Sequence, residues 1–224
     1  MISLLLVGAK GRMGEAVIVA AERDSSLTIA VKVERGDDIA SALSGCDVAI
    51  DFSAAEATEA VARACAAKQK PLVLGTTGQS AAQKETIAVA AREVAIVFAA
   101  NFSIGVNLLF ALTRRAAESL GESFDRDVIE MHHRTKKDAP SGTAKRLAEI
   151  LNEVSGKKMV APLSIRAGDI VGEHTVIFSG TGERLELTHR AGSRATFAEG
   201  ALRAARWVVR QPAGLYSMED VLGL

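Results

Sequence analysis

The chain has 224 residues, 48% hydrophobic and 24% charged, with Lys plus Arg equal to Asp plus Glu at 27 each. That balance gives no global attraction to nucleic acid or to an anionic membrane surface, and the length suits one large domain or two modest ones. Cys46 and Cys65 are the only cysteines. They lie in alanine-rich apolar surroundings, with no CxxC pair or His at ligand spacing, so buried reduced thiols and no metal site are expected.

The N-terminal stretch 1–21 lacks a basic start, and Lys10, Arg12 and Glu15 interrupt its apolar run. It therefore does not read as a signal peptide, and no run approaches the roughly 20 apolar residues of a membrane span. A soluble cytoplasmic protein is expected. Short apolar runs at 2–8, 28–34, 47–53, 71–77 and 94–100 read as buried parallel strands. Helical patterns at 12–23, 55–68 and 80–93 separate them, and alternation of this kind predicts βαβ units with helices on both sheet faces.

The texture changes after Asn101. One longer amphipathic helix is predicted at 104–120, a strand at 127–133, and a helix at 143–154 with Ser141 as its cap. Three strand candidates follow at 163–168, 174–180 and 184–190, separated by turn-prone glycines, and they suit a meandering, largely antiparallel sheet. A last helix is predicted at 196–210. The fold class is thus α/β, with an N-terminal parallel-sheet domain and a C-terminal α+β domain holding a mixed or antiparallel sheet. A hinge is expected near 101–104.

The strongest local signal is Gly8-Ala9-Lys10-Gly11-Arg12-Met13-Gly14, which follows the first strand directly and opens a helix. Glycine serves three purposes in such a turn: the tight bend, close backbone approach to a pyrophosphate, and close helix–strand packing. The free N–H groups and positive dipole end of the helix then face the phosphates. Glu34 ends the second strand where a carboxylate can accept hydrogen bonds from ribose hydroxyls, which points to NAD. Arg35 beside it can pair with a 2′-phosphate, which points to NADP. Gly75, Thr76 and Thr77 close the fourth strand and Asn101, Phe102 and Ser103 the fifth, where an amide and an aromatic can position a nicotinamide ring, so both segments are expected to border the same cofactor cleft.

The densest polar cluster runs from Glu130 to Thr143. His132 suits a general acid, since imidazole titrates near neutral pH, and Lys136 suits a proton donor or a carboxylate partner. Ser141, Gly142 and Thr143 open a helix after Pro140 and form a second ready-made anion site. A basic loop feeding such a turn implies a substrate bearing at least one carboxylate.

Several segments together resemble the dihydrodipicolinate (4-hydroxy-tetrahydrodipicolinate) reductases of bacterial lysine and diaminopimelate biosynthesis. They are GAKGRMG at 8–14, DFS at 51–53, GTTG at 75–78, AANFSIGVN at 99–107, EMHHRTKKDAPSGTA at 130–144, IRAGDIVGEHTVIFSG at 165–180 and GERLELTHRAGSRATFAEGA at 182–201. The resemblance implies NADH- and/or NADPH-dependent reduction of a small cyclic dicarboxylate. His132 matches the family's proton donor and acceptor, Lys136 its second proton donor, and His133, Gly142 and Thr143 its substrate-binding positions. Arg194 falls where the family has an arginine near the domain junction.

The resemblance also implies a Rossmann domain at 1–103 plus 194–224, a substrate and oligomerisation domain at 104–193, and a homotetramer. The stretch between Glu34 and Asp51 is shorter than in longer members, leaving room only for a short helix at 38–44. A rival reading is a dinucleotide-sensing protein that keeps the glycine turn without catalysis.

Overall fold

Leu4, Leu5 and Leu6 are each fully buried, which requires a strand covered on both faces, because successive side chains point to opposite sides. Each such burial is worth about 2 kcal/mol. The computed structural model describes residues 1–155 and 159–224 and divides into two units, Met1–Ser103 with Ala195–Gly223 and Ile104–Arg194 with Leu224. Arg194, expected to open the returning segment, closes the second unit.

The first unit alternates β1 (Ile2–Val7), α1 (Arg12–Ala21), β2 (Leu27–Val33), α2 (Ile39–Ala42), β3 (Val48–Asp51), α3 (Thr58–Ala67), β4 (Leu72–Leu74), α4 (Ala81–Ala90) and β5 (Ala95–Phe98). Ser80 starts α4 with a capping box to Gln83, and Asp38 caps α2 with its side chain, so the short expected helix at 38–44 is real. The chain returns to this unit as α7 (Ala195–Val208), β10 (Gly214–Tyr216) and α8 (Met218–Leu222). The sheet order is β10-β5-β4-β3-β1-β2, with every pair parallel. Leu4, Leu6, Ile50 and Val97 pack to one side with Ala201 and Leu202 of α7. Leu5, Ala49, Leu72 and Ile96 pack to the other with Val61 and Ile87 of α3 and α4.

The order of elements between the units' joins is α5 (Ile104–Leu120), β6 (Asp125–His132), α6 (Gly142–Ser155), β7 (Leu163–Arg166), β8 (Gly172–Gly180) and β9 (Glu183–Ala191). These make a four-stranded sheet in the order β7-β6-β8-β9. The expected meander needs one correction. β7 does not form a hairpin with β8 but lies parallel to β6, on the opposite side from β8. The helix α6 between β6 and β7 explains this, since a crossover returns the chain to the sheet edge from which it left and makes the pair parallel. Strands β8 and β9 form a hairpin. Val106, Leu109, Phe110, Leu147 and Leu151 of α5 and α6 pack with Val128, Val176 and Phe178 of the sheet.

No described helix is long and apolar enough to cross a membrane, and among the described residues no group of three or more His, Cys, Asp or Glu could hold a metal ion.

Candidate functional site

In the first unit, β1 lies between β2 and β3, so connections leave it in opposite directions and a crevice opens at the strands' carboxyl ends. The glycine turn sits there. Gly8 has φ +80, and a Cβ on it would meet the Phe52 carbonyl oxygen and the Ser53 Cα at 2.9 Å. A side chain is thus excluded by both conformation and space. Gly14 lets α1 close on the strand, since a Cβ there would come within 2.3 Å of the Gly8 carbonyl oxygen. The Gly11 position that begins α1 has no side-chain cap, so the first turn presents its N–H groups and dipole to a ligand. The Lys10 N–H donates to Glu34 Oε1 at 2.8 Å, which ties the end of β2 to the turn and puts a carboxylate at its border. Lys10, Arg12 and Arg35 are exposed, Ala9 is buried and Met13 is half-buried.

The expected second and third borders lie on the same edge. Gly75 is held against the Phe52 ring, which a Cβ would strike at 2.1 Å. Thr76 is buried, with Oγ1 donating to the Asp51 carbonyl at 3.5 Å, while Thr77 is exposed. Asp51 is itself fully buried. Its Oδ1 accepts from the Ser53 N–H and O–H, and burial pushes its carboxyl up. Asn101 Oδ1 accepts from the Ser103 N–H at 2.8 Å, Ala100 is exposed and Ala99 half-buried. Phe102 is only 2% exposed and meets Phe52 edge to face at 5.7 Å. Its ring belongs to the core. The uncapped helix, the glycine cradle and the strand-end carboxylate fit a dinucleotide.

In the second unit, β6 places Arg126, Val128, Glu130 and His132 on one face, the buried one. Two carry charge next to helices, which demands partners. Arg126 donates to the carbonyls of Ala117, Gly121 and Leu151. Glu130, fully buried, takes both arms of Arg166: Nη1 to Oε2 at 2.9 Å and Nη2 to Oε1 at 2.8 Å. His132 Nδ1 makes a short contact with the same Oε2. Burial alone would raise the Glu130 carboxyl, but hydrogen bonds from Arg166, Ser164 and His132 bring it down to about 2. For His132, burial pulls the imidazole down, Glu130 opposes this, and Lys136 and Arg166 add to the fall.

His174 of β8 packs edge to face on His132, and Ser141 Oγ lies 3.1 Å from its Nε2. Burial, with the charge of His132, pushes His174 down to about 4. Ser141 is 3% exposed, and its Oγ also accepts the Ala144 N–H at 3.2 Å, so its hydroxyl serves α6 and His174 as a cap. Gly142 is exposed and Thr143 half-buried at the helix opening. Lys136 pairs with Asp138 at 2.8 Å, and His133 Nδ1 lies 2.8 Å from Thr135 Oγ1. Arg194 is exposed. The structure thus gathers His132, Ser141 and the Gly142–Thr143 turn into one cluster.

A family model described as "Dihydrodipicolinate reductase, N-terminus" matches residues 2–102, and one described as "Dihydrodipicolinate reductase, C-terminus" matches residues 105–222. The chain belongs to the dihydrodipicolinate reductase family. It is 49% identical, over 100% of its own length and 99% of the relative, to a 4-hydroxy-tetrahydrodipicolinate reductase of Akkermansia muciniphila. It is 44% identical, over 98% of each, to the protein of that name from Halorhodospira halophila. In fold it is similar to a dipicolinate-bound dihydrodipicolinate reductase of Paenisporosarcina sp. TG-14, with a TM-score of 0.85, 22% identity and 98% of each chain covered.

Sequence reasoning about this reductase chain named Glu130 only as part of a polar segment and gave no role to Arg166 or His174. A signal existed for Glu130: it stands two residues before His132, so the two share one face of a strand. Arg166 and His174 carried none, because they reach the cluster only through strand pairing.

Proposed function

We propose that the chain reduces 4-hydroxy-tetrahydrodipicolinate to tetrahydrodipicolinate with NADH or NADPH, a step of lysine and diaminopimelate biosynthesis. The single observation that carries this is His132, buried on β6 with Nδ1 held by a carboxylate, on the same face as the anion-binding opening of α6. The reduced nicotinamide, when bound along Gly8–Met13, Glu34, Gly75–Thr77 and Ala99–Phe102, supplies the hydride. Everything else falls to side chains. The α6 opening and His133 hold the substrate's carboxylates. His132 gives up a proton from Nε2, and Lys136 is the second donor. Lys136 must leave Asp138 to do so, which costs little because surface ion pairs are worth about 0–1 kcal/mol. A dianionic substrate arriving beside His132 raises its proton affinity, so the proton is taken up when it is needed. Arg194 is proposed as a further carboxylate contact.

Glu34 and Arg35 favour use of both dinucleotides: the carboxylate hydrogen-bonds a free ribose, and the guanidinium accepts a 2′-phosphate. A homotetramer is also proposed. Its support is the outer face of the four-stranded sheet, where Ile129, Met131, Leu163 and Ile165 stand in register, with Leu163 61% and Ile165 45% exposed.

The test is loss of dihydronicotinamide absorbance with substrate generated in situ. His132→Ala is expected to lower kcat by roughly 10²–10⁴ with dinucleotide affinity nearly unchanged. Unchanged turnover in that variant overturns the assignment of His132. Tight dinucleotide binding by the unmodified protein without any turnover favours the sensing alternative instead.

A further inference from the structure

The buried carboxylate of Glu130 does more than a structural ion pair requires. Donors converge on both of its oxygens: Arg166 Nη2 and the Ser141 N–H on Oε1, Arg166 Nη1 and His132 Nδ1 on Oε2, with the Ser164 hydroxyl as a further partner. Fastening the sheet would be achieved by Arg166 alone, which also donates to the carbonyls of Asp138 and Ile165. The contact to Nδ1 adds nothing to that fastening. It constrains the imidazole instead.

We infer that Glu130 is the positioning residue for the proton donor: gripped by Arg166, it keeps the His132 proton on Nδ1 and leaves Nε2 as the atom that releases and recovers the catalytic proton. This rests on His132 being the proton donor, as proposed above. The chemistry follows from the partners. Arginine keeps its charge at any accessible pH, so Glu130 stays ionised and does not take the ring proton. The carboxylate therefore orients and stabilises an imidazolium without becoming a relay. When Nε2 has lost its proton, the ring is the neutral Nδ1–H form, and Glu130 is unchanged.

The placement has a clear origin in the fold. Glu130 and His132 are two residues apart on β6, hence on one face. Arg166 is the cross-strand partner of His132 on β7, with Ser164 opposite Glu130. The arginine thus reaches back along the sheet to the carboxylate. On the other side Nε2 meets β8 at Gly172, where a Cβ would come within 3.0 Å of it. The groups facing His132 are then Glu130 from β6, Arg166 from β7, His174 from β8 and Lys136 from the following loop. Glu130 is the one anion among those four.

The test begins with the unmodified full-length protein. Two-bond proton–nitrogen spectra are expected to show neutral His132 as the Nδ1–H tautomer; a neutral Nε2–H ring overturns the proposal outright. In Glu130→Gln, kcat is expected to fall at least about 10²-fold with the KM for dinucleotide within about twofold. The limb of the pH profile that reports His132 should move to lower pH, because the imidazolium has lost its counter-charge. A folded Glu130→Gln protein with the original profile and rate refutes positioning, since a fastening role alone moves only stability. If Glu130→Gln does not fold, the Glu130→Gln/Arg166→Gln double variant removes both charges and is read the same way. Two failures are separable. Normal turnover in His132→Ala removes the proton-donor reading while the tautomer still reports on Glu130; an inactive His132→Ala with a normal Glu130→Gln removes positioning alone.

Discussion

His174 lies edge to face against His132, ring centroids 5.2 Å apart, and its Nε2 is within 3.1 Å of the Ser141 hydroxyl that caps α6. Burial keeps His174 neutral in the folded chain, pushed down to about 4 from 6.5. A histidine whose folded value is depressed contributes its full share of stability above its unfolded value, and that share is lost as pH falls. The second unit should therefore lose about 3 kcal/mol as pH drops from about 6.5 to about 4. Glu130, brought down to about 2, adds a second loss, from about 4.5 downward. Urea unfolding of this unit across that range measures both, and His174→Asn should reduce only the upper one, the rest coming from His132 and His189, which burial also pulls down. A flat profile from neutral pH to about 4 would rule out the buried neutral imidazole.

Gly172 has no positive φ that would demand glycine; space explains it. Gly172→Ala sets a methyl against His132 Nε2. The expected outcome is a kcat lowered by roughly 10- to 100-fold, with a melting temperature lowered by roughly 2–12 °C, since overpacking strain of about 1–3 kcal/mol costs about 2–4 °C per kcal/mol in a chain of this length. Steady-state kinetics beside calorimetry decide the matter. A loss of stability without loss of rate would mean that Nε2 is not the working atom.

Gly200 on α7 faces an opposite demand. A Cβ there would lie 1.7 Å from the Phe102 carbonyl oxygen, which nothing short of moving helix or strand end can relieve. Gly200→Ala should destabilise the first unit by about 3 kcal/mol or more. It should also raise the KM for dinucleotide, because Ala99–Phe102 must shift. Equal melting curves for the two proteins would contradict this packing.

Much of this arrangement was legible in the sequence, and the reasons for the exceptions are physical. Strands β1, β3, β4 and β5 are buried on both faces, so they read as continuous apolar runs. Gly8–Gly14 is dictated by close approach, so it reads as a motif. Strand β6 misleads. Its apolar Ile129 and Met131 alternate with Arg126, Glu130 and His132, and the polar set is the buried one. Hydrophobic patterning alone assigns such a strand's faces the wrong way round. The three-residue β10 escaped because it is short and has no buried residue, so only its pairing with β5 defines it. The parallel pairing of β7 was invisible because strand polarity depends on the intervening α6.

Cofactor choice can be separated at the edge of the glycine turn. Arg35→Ala should weaken NADPH by roughly 10-fold or more and leave NADH nearly unaffected, the scale of one lost charge-assisted hydrogen bond. Glu34→Ala should weaken NADH more, and also loosen the turn, since Glu34 holds the Lys10 N–H. Paired kinetic constants for the two dinucleotides check both; equal losses in Arg35→Ala would remove Arg35 from 2′-phosphate recognition.

The apolar half of the outer sheet face offers a test of assembly. Ile165→Lys puts a charge among Leu163, Ile129 and Met131 without touching the inner face. Light scattering after size-exclusion chromatography should show a smaller species, while the isolated fold persists by circular dichroism. A tetramer that survives the substitution would place the interface elsewhere.

The first unit is made from two stretches of chain, and its central helix α7 comes from the second. Ala198, Ala201, Leu202, Ala205 and Val208 complete one side of its core. During synthesis, everything from Ile104 to Arg194 leaves the ribosome before that helix exists. The parallel sheet must wait half-covered while the inserted unit, whose elements are all contiguous, is free to fold. Residues made last therefore seal the domain begun first, and a chain shortened before Ala195 lacks α7 and its core residues even though every glycine of the turn is present.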